Sequence, residues 1–394
     1  MVRRGIVTSR SVHLTTCQNG PSRRGVPSES ESWLMLAAVL RNTGDTDLDV
    51  TDTIEVNDPG PDDVIVKITH TGVCHSDVSA MNGTIPQPVP AVLGHEGAGV
   101  IEAVGDNVTE VSVGDHVIVV WSPPCGACQF CVGHKSPNLC TTVQFGSMMI
   151  PHFREGGSDV NAMAGAGTFA ERTLLPKQAV VKIDDDIPLD IASLIGCGVM
   201  TGAGAALNTA KVAPGSSVIV YGAGGVGVAA IQGARIAGAA EIVAVDLNDA
   251  KLDDAKRFGA THAVTPDDVE GISAEITGGD GFDYALECIG NPITMRAAFD
   301  AVRRGGTACI VGVGRPEEMV QFSAFELFFM EKTLVGSYYG GTDVRSDFHK
   351  LLRLYKYGKL DLEGMITRRI TIDEINPALE AVRRGEVIRQ VIEF

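Results

Sequence analysis

Residues 216–246 limit what this chain can fold into more than any other part of the sequence. A β-branched run at 218–221 leads into the glycine-rich hexapeptide 222–227. An Ala- and Ile-rich stretch follows, and a second apolar run at 242–245 ends at Asp246. Strand, glycine turn, helix and strand is the context in which a GxGxxG pattern indicates dinucleotide binding, although the turn alone also occurs in ordinary α/β proteins. The stretch therefore predicts an α/β fold with a doubly wound parallel sheet.

Each position of the glycine turn has a physical reason. Gly222 lets the chain turn sharply out of the strand, and Gly224 leaves room for a pyrophosphate. Gly225 and Val226 begin the helix, whose free N–H groups face the phosphates. Gly227 allows the helix to pack closely against the strand. These positions are predicted to bind the coenzyme.

Asp246 predicts which dinucleotide is bound. It lies at the end of the second strand, where its carboxylate can accept hydrogen bonds from ribose hydroxyls and would repel a 2′-phosphate. The next residues, Leu247 and Asn248, supply no arginine that would attract that phosphate. The predicted cofactor is NAD.

Length and charge narrow the class of protein. A chain of 394 residues predicts two domains, and its net charge of −17 argues against nucleic acid or anionic membranes as partners. No uninterrupted apolar run reaches membrane-spanning length. Residues 1–34 contain five arginines against two acids and no apolar signal segment. We expect a disordered extension before a functional start at Met35, the alternative being an organelle transit peptide. The expected location is the cytoplasm.

The rest of the chain reads as two kinds of structure. Short alternating strands separated by turns predict a β-rich region from Met35 to about Ile118, including residues 63–68, 100–104 and 117–120. Repeating βα units start near residue 200, with later strands expected at 262–264, 283–288, 307–313 and 333–338. A helix after Asp347 and a β-like run at 387–392 end the chain.

Four cysteines cluster in one short segment. Cys125, Cys128 and Cys131 are followed by Cys140. Four thiolates complete a closed tetrahedral zinc shell, which staples a loop that lacks a core of its own. The alternative is a set of reduced or redox-active thiols. The segment predicts a structural zinc lobe at residues 121–141.

A second set of ligand residues is dispersed over three short motifs. These are residues 72–77 (GVCHSD), 94–96 (GHE) and 196–198 (GCG). Together with the glycine turn and the four-cysteine lobe, they make the chain resemble the zinc-dependent alcohol dehydrogenases of the medium-chain dehydrogenase/reductase family. The resemblance covers the chain from about Met35 to Phe394. It implies a GroES-like catalytic domain at 35–198 and 339–394, and a Rossmann NAD-binding domain at 199–338.

The resemblance also implies a catalytic zinc in addition to the structural one. Cys74, His95 and Cys197 match its ligands and leave a fourth position open for an alcohol oxygen, which zinc polarises as a Lewis acid. An alkoxide then forms near neutral pH and passes its hydride to the nicotinamide. Three neighbouring residues match catalytic positions: Ser76, which hydrogen-bonds the substrate oxygen; Asp77, which orients the zinc-binding histidine; and Glu96, a carboxylate close behind the metal.

Further residues match contacts that the family makes with coenzyme and substrate. The coenzyme positions are His75 and Arg389 at the pyrophosphate, Lys251 near the adenosine ribose, and Thr201 and Val313 beside the nicotinamide. Trp121 matches an aromatic wall of the substrate pocket.

The sequence departs from the family pattern in three places. Eight residues, 132–139, separate the third and fourth lobe cysteines, where seven are usual. Ser79 stands where many members carry a relay histidine. Residues 141–167 form a Gly- and Met-containing insertion.

The leading interpretation is an NAD-dependent enzyme that interconverts a primary alcohol, with an aromatic alcohol as one option, and its aldehyde. A second is oxidation of a thiol–formaldehyde adduct, although residues 81–92 offer no ionisable group for a charged thiol tail. Polyol dehydrogenases of the family typically lack the second zinc cysteine, so Cys197 argues against them. A third interpretation is a zinc-stabilised NAD-binding protein without turnover, which would have no need of an open zinc. The expected partners are a small alcohol or aldehyde and further copies of the chain, in a dimer or tetramer.

Overall fold

A computed structural model describes residues 34–394. The expectations for the N-terminal extension therefore lie, apart from Leu34, outside the described residues. In the described residues, ten strands come before the parallel βα region: β1 (Leu34–Leu40), β2 (Asp49–Val56), β3 (Asp63–Val73), β4 (Ala91–Val92), β5 (Glu96–Val104), β6 (His116–Val119), β7 (Phe153–Glu155), β8 (Ser158–Ala162), β9 (Arg172–Pro176) and β10 (Val180–Lys182).

Six strands follow as the parallel βα region: β11 (Ser217–Tyr221), β12 (Glu241–Val245), β13 (His262–Val264), β14 (Phe282–Glu287), β15 (Val302–Ile310) and β16 (Thr333–Gly336). Two more end the chain: β17 (Ile366–Ile370) and β18 (Arg389–Glu393).

The α-helices are α1 (His75–Met81), α2 (Thr142–Met148), α3 (Leu189–Leu194), α4 (Met200–Gly204), α5 (Gly225–Ala237), α6 (Asp249–Arg257), α7 (Val269–Thr277), α8 (Pro292–Ala301), α9 (Ala324–Met330), α10 (Val344–Lys356) and α11 (Ile375–Arg383). A wider π-type turn at Ile195–Val199 joins α3 to α4, and a second one at Ala205–Thr209 extends this helical stretch beyond α4.

The coenzyme-type sheet is parallel, in the order β13-β12-β11-β14-β15-β16. Helices cover both faces of such a sheet, which explains the continuous apolar run of β11 and the buried side chains of β12. The fold class predicted from the glycine turn is confirmed. Two strands of this sheet differ from the prediction in their bounds by more than one residue: β15 runs from Val302 to Ile310 rather than from 307 to 313, and β16 stops at Gly336 rather than at residue 338. The end of β15 has a local reason. The N–H groups of Val311 and Gly312 both donate to the carbonyl oxygen of Glu287, so the chain leaves the ladder there.

The other half of the protein is built from two antiparallel systems. Strands β1, β2, β7, β8 and β4 close a small barrel, and a second sheet has the order β10-β6-β5-β3-β18-β17, with β9 also paired to β3. The insertion at 141–167 thus supplies α2 and two strands of the barrel. Strand β18 pairs with β3 through Gln390–Val73 and its neighbours, which brings the C-terminus back to the first half of the chain.

One helical stretch among the described residues, Leu189–Thr209, has the length and apolar composition needed to cross a membrane. However, 83% of its most apolar window is buried inside the protein. A core helix passes the same test, so no membrane span is indicated.

Candidate active site and metal centres

Four buried side chains from distant parts of the sequence converge at one point. The ligand atoms of Cys74, His95, Glu96 and Cys197 lie within 4.8 Å of one another. His95 is 3% exposed, and among the described residues its Nε2 has no hydrogen-bond partner. An orphaned buried nitrogen is costly unless something binds it, and two sulfurs with one imidazole are ligands that suit zinc. The donor set therefore fits a zinc ion.

Local structure explains how Cys74 and His95 reach this point. Cys74 is the N-cap of α1, and the Asp77 carboxylate accepts a hydrogen bond from its backbone N–H at 2.9 Å. Gly94 has a φ of 84°, a left-handed conformation that favours glycine, and a Cβ there would overlap Phe169. The Gly94 N–H donates to Asp77 Oδ1 at 3.2 Å, next to the His95 Nδ1 contact of 3.2 Å. Asp77 thus fixes both ligand-bearing segments.

Cys197 sits in the π-type turn that follows α3, between two glycines. A Cβ on Gly198 would overlap the Arg389 guanidinium, and one on Gly196 would lie 3.1 Å from a backbone oxygen of β6. The small neighbours let the turn approach β6 and Arg389 closely. π-type turns within helices recur at functional sites.

Ionisation in the cluster is set by mutual contacts. The hydrogen bond from Cys197 lowers the pKa of Cys74, with a further contribution from His95, so that one thiolate forms readily. Burial alone would lower the pKa of His95, but the Asp77 charge and hydrogen bond raise it above its usual range. Burial raises the pKa of Glu96 to about 7, against the opposing charge of Arg389. The site thus holds both proton donors and potential anions.

Arg389 is placed differently from a solvent-facing phosphate ligand. It is 4% exposed, and its Nη2 lies 2.5 Å from Glu96 Oε1. A Cβ on Gly225 would lie 2.7 Å from Arg389 Cδ, so the arginine stem runs along the glycine turn. The residue therefore links the buried cluster of Cys74, His95, Glu96 and Cys197 to the start of α5, and its contact with pyrophosphate stays a prediction.

The predicted polar residues of α1 lie beside the cluster. Ser76 Oγ is 3.7 Å from Cys74 Sγ, and Ser79 Oγ is 3.5 Å from His75 Nδ1. Ser79 is nearly buried, whereas His75 is exposed. Ser76 thus contacts a residue of the cluster, and Ser79 contacts the exposed His75.

The four-cysteine lobe gathers a second set of ligand atoms. The sulfurs of Cys125, Cys128, Cys131 and Cys140 lie within 4.8 Å of one another. Backbone N–H groups of Ala127 and Cys128 point at the Cys125 sulfur and lower its pKa to about 6. A short helical turn, Pro137–Leu139, carries the longer connection and returns Cys140 to the group. The donor set fits a closed zinc site.

The glycine turn has the geometry that a dinucleotide needs. Gly222 has a φ of 91°, and a Cβ on Gly227 would overlap the Gly222 carbonyl oxygen. A Cβ on Gly224 would meet no protein atom within 4 Å, so space is open above the helix start. Asp246 already accepts hydrogen bonds from Ala223 N at 2.8 Å and from Asn248 N at 3.0 Å. These bonds fix its carboxylate at the carboxyl edge of the sheet.

The remaining predicted coenzyme residues are dispersed around this edge. Val226 and Thr201 are partly buried, on α5 and on the neighbouring α4. Val313 is 62% exposed in the loop after β15. The Lys251 Nζ would lie 2.7 Å from a Cβ on Gly385. Their roles stay predictions.

Sequence reasoning missed two aromatic residues that accompany Trp121. Its ring lies 4.5 Å from the Tyr339 ring and 5.5 Å from the Tyr338 ring. The Tyr339 hydroxyl donates to the carbonyl oxygen of Gly196, the neighbour of Cys197. A Tyr-Tyr pair at the end of an apolar strand was the available signal, but the strand pattern alone does not separate it from core residues.

Comparison with known proteins identifies the class. Residues 60–185 match the alcohol dehydrogenase GroES-like domain, and residues 225–356 match the zinc-binding dehydrogenase domain. The chain therefore belongs to the zinc-dependent alcohol dehydrogenases of the medium-chain dehydrogenase/reductase family, and it is an oxidoreductase. The family expected from the motifs is confirmed.

Individual relatives align with almost the whole chain. An NDMA-dependent alcohol dehydrogenase from Amycolatopsis methanolica is 40% identical over 365 residues, 90% of this chain and 98% of the relative. An S-(hydroxymethyl)glutathione dehydrogenase from Escherichia coli is 40% identical over 353 residues, 86% and 95% of the two chains. The crystal structure of benzyl alcohol dehydrogenase from Acinetobacter calcoaceticus aligns with a TM-score of 0.84 at 34% identity, covering 91% of this chain and 99% of the other.

Proposed function

We propose that this enzyme catalyses the NAD-dependent oxidation of a primary aromatic alcohol to its aldehyde, and the reverse reaction. The observation that carries the proposal is the buried cluster of Cys74, His95 and Cys197, joined through Arg389 to the glycine turn. A hydride donor held at the cluster and a coenzyme at the turn would lie on neighbouring surfaces. The aromatic rings of Trp121 and Tyr338 favour a flat substrate, and Tyr339 links Trp121 to Gly196, the neighbour of Cys197.

The chain's own residues have distinct parts in this proposal. Cys74, His95 and Cys197 would hold a catalytic zinc, which supplies Lewis acidity that favours deprotonation of a substrate alcohol. NAD, held at the glycine turn, would supply the hydride acceptor. The Ser76 hydroxyl, beside Cys74, would accept the alcohol proton and pass it outward. Asp77 would accept the Nδ1 proton of His95, which leaves Nε2 free to bind metal.

A second zinc in the four-cysteine lobe would hold that lobe in shape without contacting substrate. We further propose that the catalytic half comprises residues 35–198 and 339–394, and the NAD-binding half residues 199–338. The eight described cysteines form no disulfide, which supports the proposed cytoplasmic location.

Oxidation of a thiol–formaldehyde adduct is the second candidate, because a relative that is 40% identical bears that name. The loop at 81–92 argues against it. This loop holds no ionisable residue, and its Gln87 side chain accepts a hydrogen bond from Ala164 of the insertion at 3.4 Å. A charged thiol tail would find no counter-charge there.

One substrate panel separates the two candidates. We would measure kcat/KM for benzyl alcohol, hexan-1-ol and S-(hydroxymethyl)glutathione with NAD and with NADP, and with NDMA as acceptor without added coenzyme. Benzyl alcohol with added NAD should give the highest value. A higher value for the glutathione adduct would replace the leading proposal by the second. Turnover with NDMA in the absence of added coenzyme would contradict the proposed dependence on added NAD.

We also propose that the chain forms a homodimer through the β16 edge of the parallel sheet. In the described chain β16 pairs only with β15, and the adjoining helix α9 exposes apolar side chains. Phe325 is 68% exposed, Phe328 is 82% exposed and Leu334 on β16 is 41% exposed. An unpaired strand edge with apolar neighbours is a template for pairing with a second copy. Phe328→Asp should yield a monomer in light scattering, and an unchanged mass would contradict this assignment.

A further inference from the structure

The aromatic group beside the metal cluster has a second support, which lies in the zinc lobe and the helix after it. Asn138 precedes the last lobe cysteine by two residues, and Gln144 lies on α2. Asn138 Nδ2 donates to the Tyr338 carbonyl oxygen at 3.0 Å. Gln144 Nε2 donates to the Tyr338 hydroxyl at 3.0 Å, and that hydroxyl lies 3.3 Å from Gln144 Oε1. Tyr338 is therefore held by hydrogen bonds at its backbone carbonyl and at its side-chain hydroxyl.

The two amides are committed to this contact. Asn138 and Gln144 are each only 8% exposed, so water cannot replace Tyr338 as their partner at little cost. A buried amide that loses its partner is left unsatisfied, which costs more than the hydrogen bond itself contributes. These hydrogen bonds therefore favour one position of the Tyr338 side chain over its alternatives.

Tyr338 in turn shapes a partly open aromatic surface. It is 42% exposed and packs edge-on against Trp121, with an angle of 78° between the two rings. Trp121 is also in contact with Tyr339, whose hydroxyl donates to Gly196 next to Cys197. The surface therefore begins at the metal cluster and leads towards solvent. A flat ring gains edge-to-face or offset-stacked contacts there, whereas a flexible alkyl chain does not.

We propose that Asn138 and Gln144 are positioning residues that hold the wall formed by Tyr338 and Trp121, and thereby set the preference for flat aromatic alcohols over straight-chain alcohols. This rests on the proposed function. Neither residue touches the metal cluster, and both act through Tyr338. The zinc lobe consequently takes part in substrate selection as well as in stability.

Enzyme kinetics test the selectivity. The variants are Gln144→Leu, Tyr338→Phe and the double variant, with Gln129→Leu as a matched control, since Gln129 is an exposed lobe residue. Each single variant should raise KM for benzyl alcohol about 2- to 10-fold, the size expected for one lost hydrogen bond and a loosened ring contact. Values of kcat, and both constants for hexan-1-ol, should change less than about 2-fold. The double variant should equal the singles, because both remove the same contact.

Fluorescence tests, without substrate, whether Gln144 holds Tyr338 against Trp121. The chain has two tryptophans, Trp33 and Trp121, so Trp33→Phe leaves Trp121 as the reporter. In this background Gln144→Leu should shift Trp121 emission and increase acrylamide quenching, while Gln129→Leu should do neither. Unchanged emission and quenching in Gln144→Leu would overturn the proposal, whatever the kinetics.

The two proposals fail in different ways. If the wild-type enzyme prefers benzyl alcohol and Gln144→Leu keeps that preference in full, the positioning role is wrong and the proposed function stands. If the wild type shows no aromatic preference at all, the proposed function fails and the selectivity role falls with it. An equal loss of benzyl alcohol and hexan-1-ol turnover in Gln144→Leu indicates a general structural role and also overturns the proposal.

Discussion

Replacing Asp77 by asparagine should weaken zinc binding at the buried cluster while leaving the four-cysteine lobe loaded. The Asp77 carboxylate is 0% exposed and takes hydrogen bonds from three groups: Cys74 N at 2.9 Å, Gly94 N at 3.2 Å and His95 Nδ1 at 3.2 Å. Asparagine has nearly the same shape but only one acceptor oxygen. If that oxygen keeps His95 and Gly94, its NH₂ group faces the Cys74 N–H, donor against donor.

The size of the effect follows from this single mismatch. One buried donor without an acceptor costs about 1–3 kcal/mol, which is about 5- to 150-fold in an equilibrium constant. A change of the partner behind a metal-binding histidine typically costs about 10- to 100-fold in metal affinity. Both estimates agree on about one to two orders of magnitude for Asp77→Asn. The alternative orientation of the amide would leave Gly94 and His95 facing NH₂ and would cost more.

Competition with a coloured chelator measures this directly. Wild-type protein should release two zinc ions per chain in two steps, and Asp77→Asn should release one of them about 10- to 100-fold more readily. Asp106→Asn serves as the control, because Asp106 is an exposed residue of the same half of the protein. Identical release curves for Asp77→Asn and wild type would refute the assignment of Asp77 as the residue that orients His95.

Four further predictions concern single positions. Asp246→Ala should weaken NAD and narrow its advantage over NADP, measured as the ratio of kcat/KM values, since the carboxylate favours ribose hydroxyls and repels a 2′-phosphate. Cys128→Ser should lower the unfolding temperature and the zinc content by one ion per chain, because it opens a closed site. Because burial lowers the pKa of His152, this histidine takes up a proton at a higher pH in the unfolded chain than in the native protein. The free energy of unfolding should therefore fall as the pH drops below about 6.5. In thermal unfolding, His152→Gln should flatten this dependence on pH. Ser79→His should raise alcohol oxidation on the acidic side of the rate profile, by less than the roughly 10²- to 10⁴-fold of a fully positioned base, because an imidazole there can relay the proton.

Each of these has an outcome that contradicts it. Wild-type enzyme that uses NADP as well as NAD would overturn the role of Asp246. A Cys128→Ser variant that is fully active and still holds two zinc ions per chain would refute the proposed structural zinc site. A slope unchanged by His152→Gln, or a rate profile unchanged by Ser79→His, would show that these side chains do not carry the proton concerned.

Features formed by residues close together in the sequence could be predicted, whereas features that join distant residues could not. The glycine turn and the four cysteines are contiguous, so their spacing alone predicted their structure. The proposed catalytic zinc ligands are dispersed, and only the resemblance to a family grouped Cys74, His95 and Cys197. The Glu96–Arg389 pair spans 293 positions, and no local pattern indicates which acid meets which arginine.

The insertion at 141–167 could not be interpreted from sequence for a different reason. Its strands β7 and β8 are three and five residues long, so no periodic pattern is long enough to detect. The contact between Gln144 and Tyr338 depends on how two distant segments pack, 194 residues apart. Side-chain hydrogen bonds of this kind leave no trace in propensity or hydrophobic pattern.

The pairing of β18 with β3 affects how the protein is made. The ribosome releases β3 early and β18 last, so the first sheet stays incomplete throughout synthesis of the coenzyme-type sheet. During that interval residues 70–73 of β3 present an open strand edge, which invites pairing with another nascent chain. The parallel sheet can form meanwhile, because its strands are continuous in sequence. Loss of the last six residues, which comprise β18 and Phe394 and include Arg389, would therefore leave an intact coenzyme fold attached to an unfinished catalytic half.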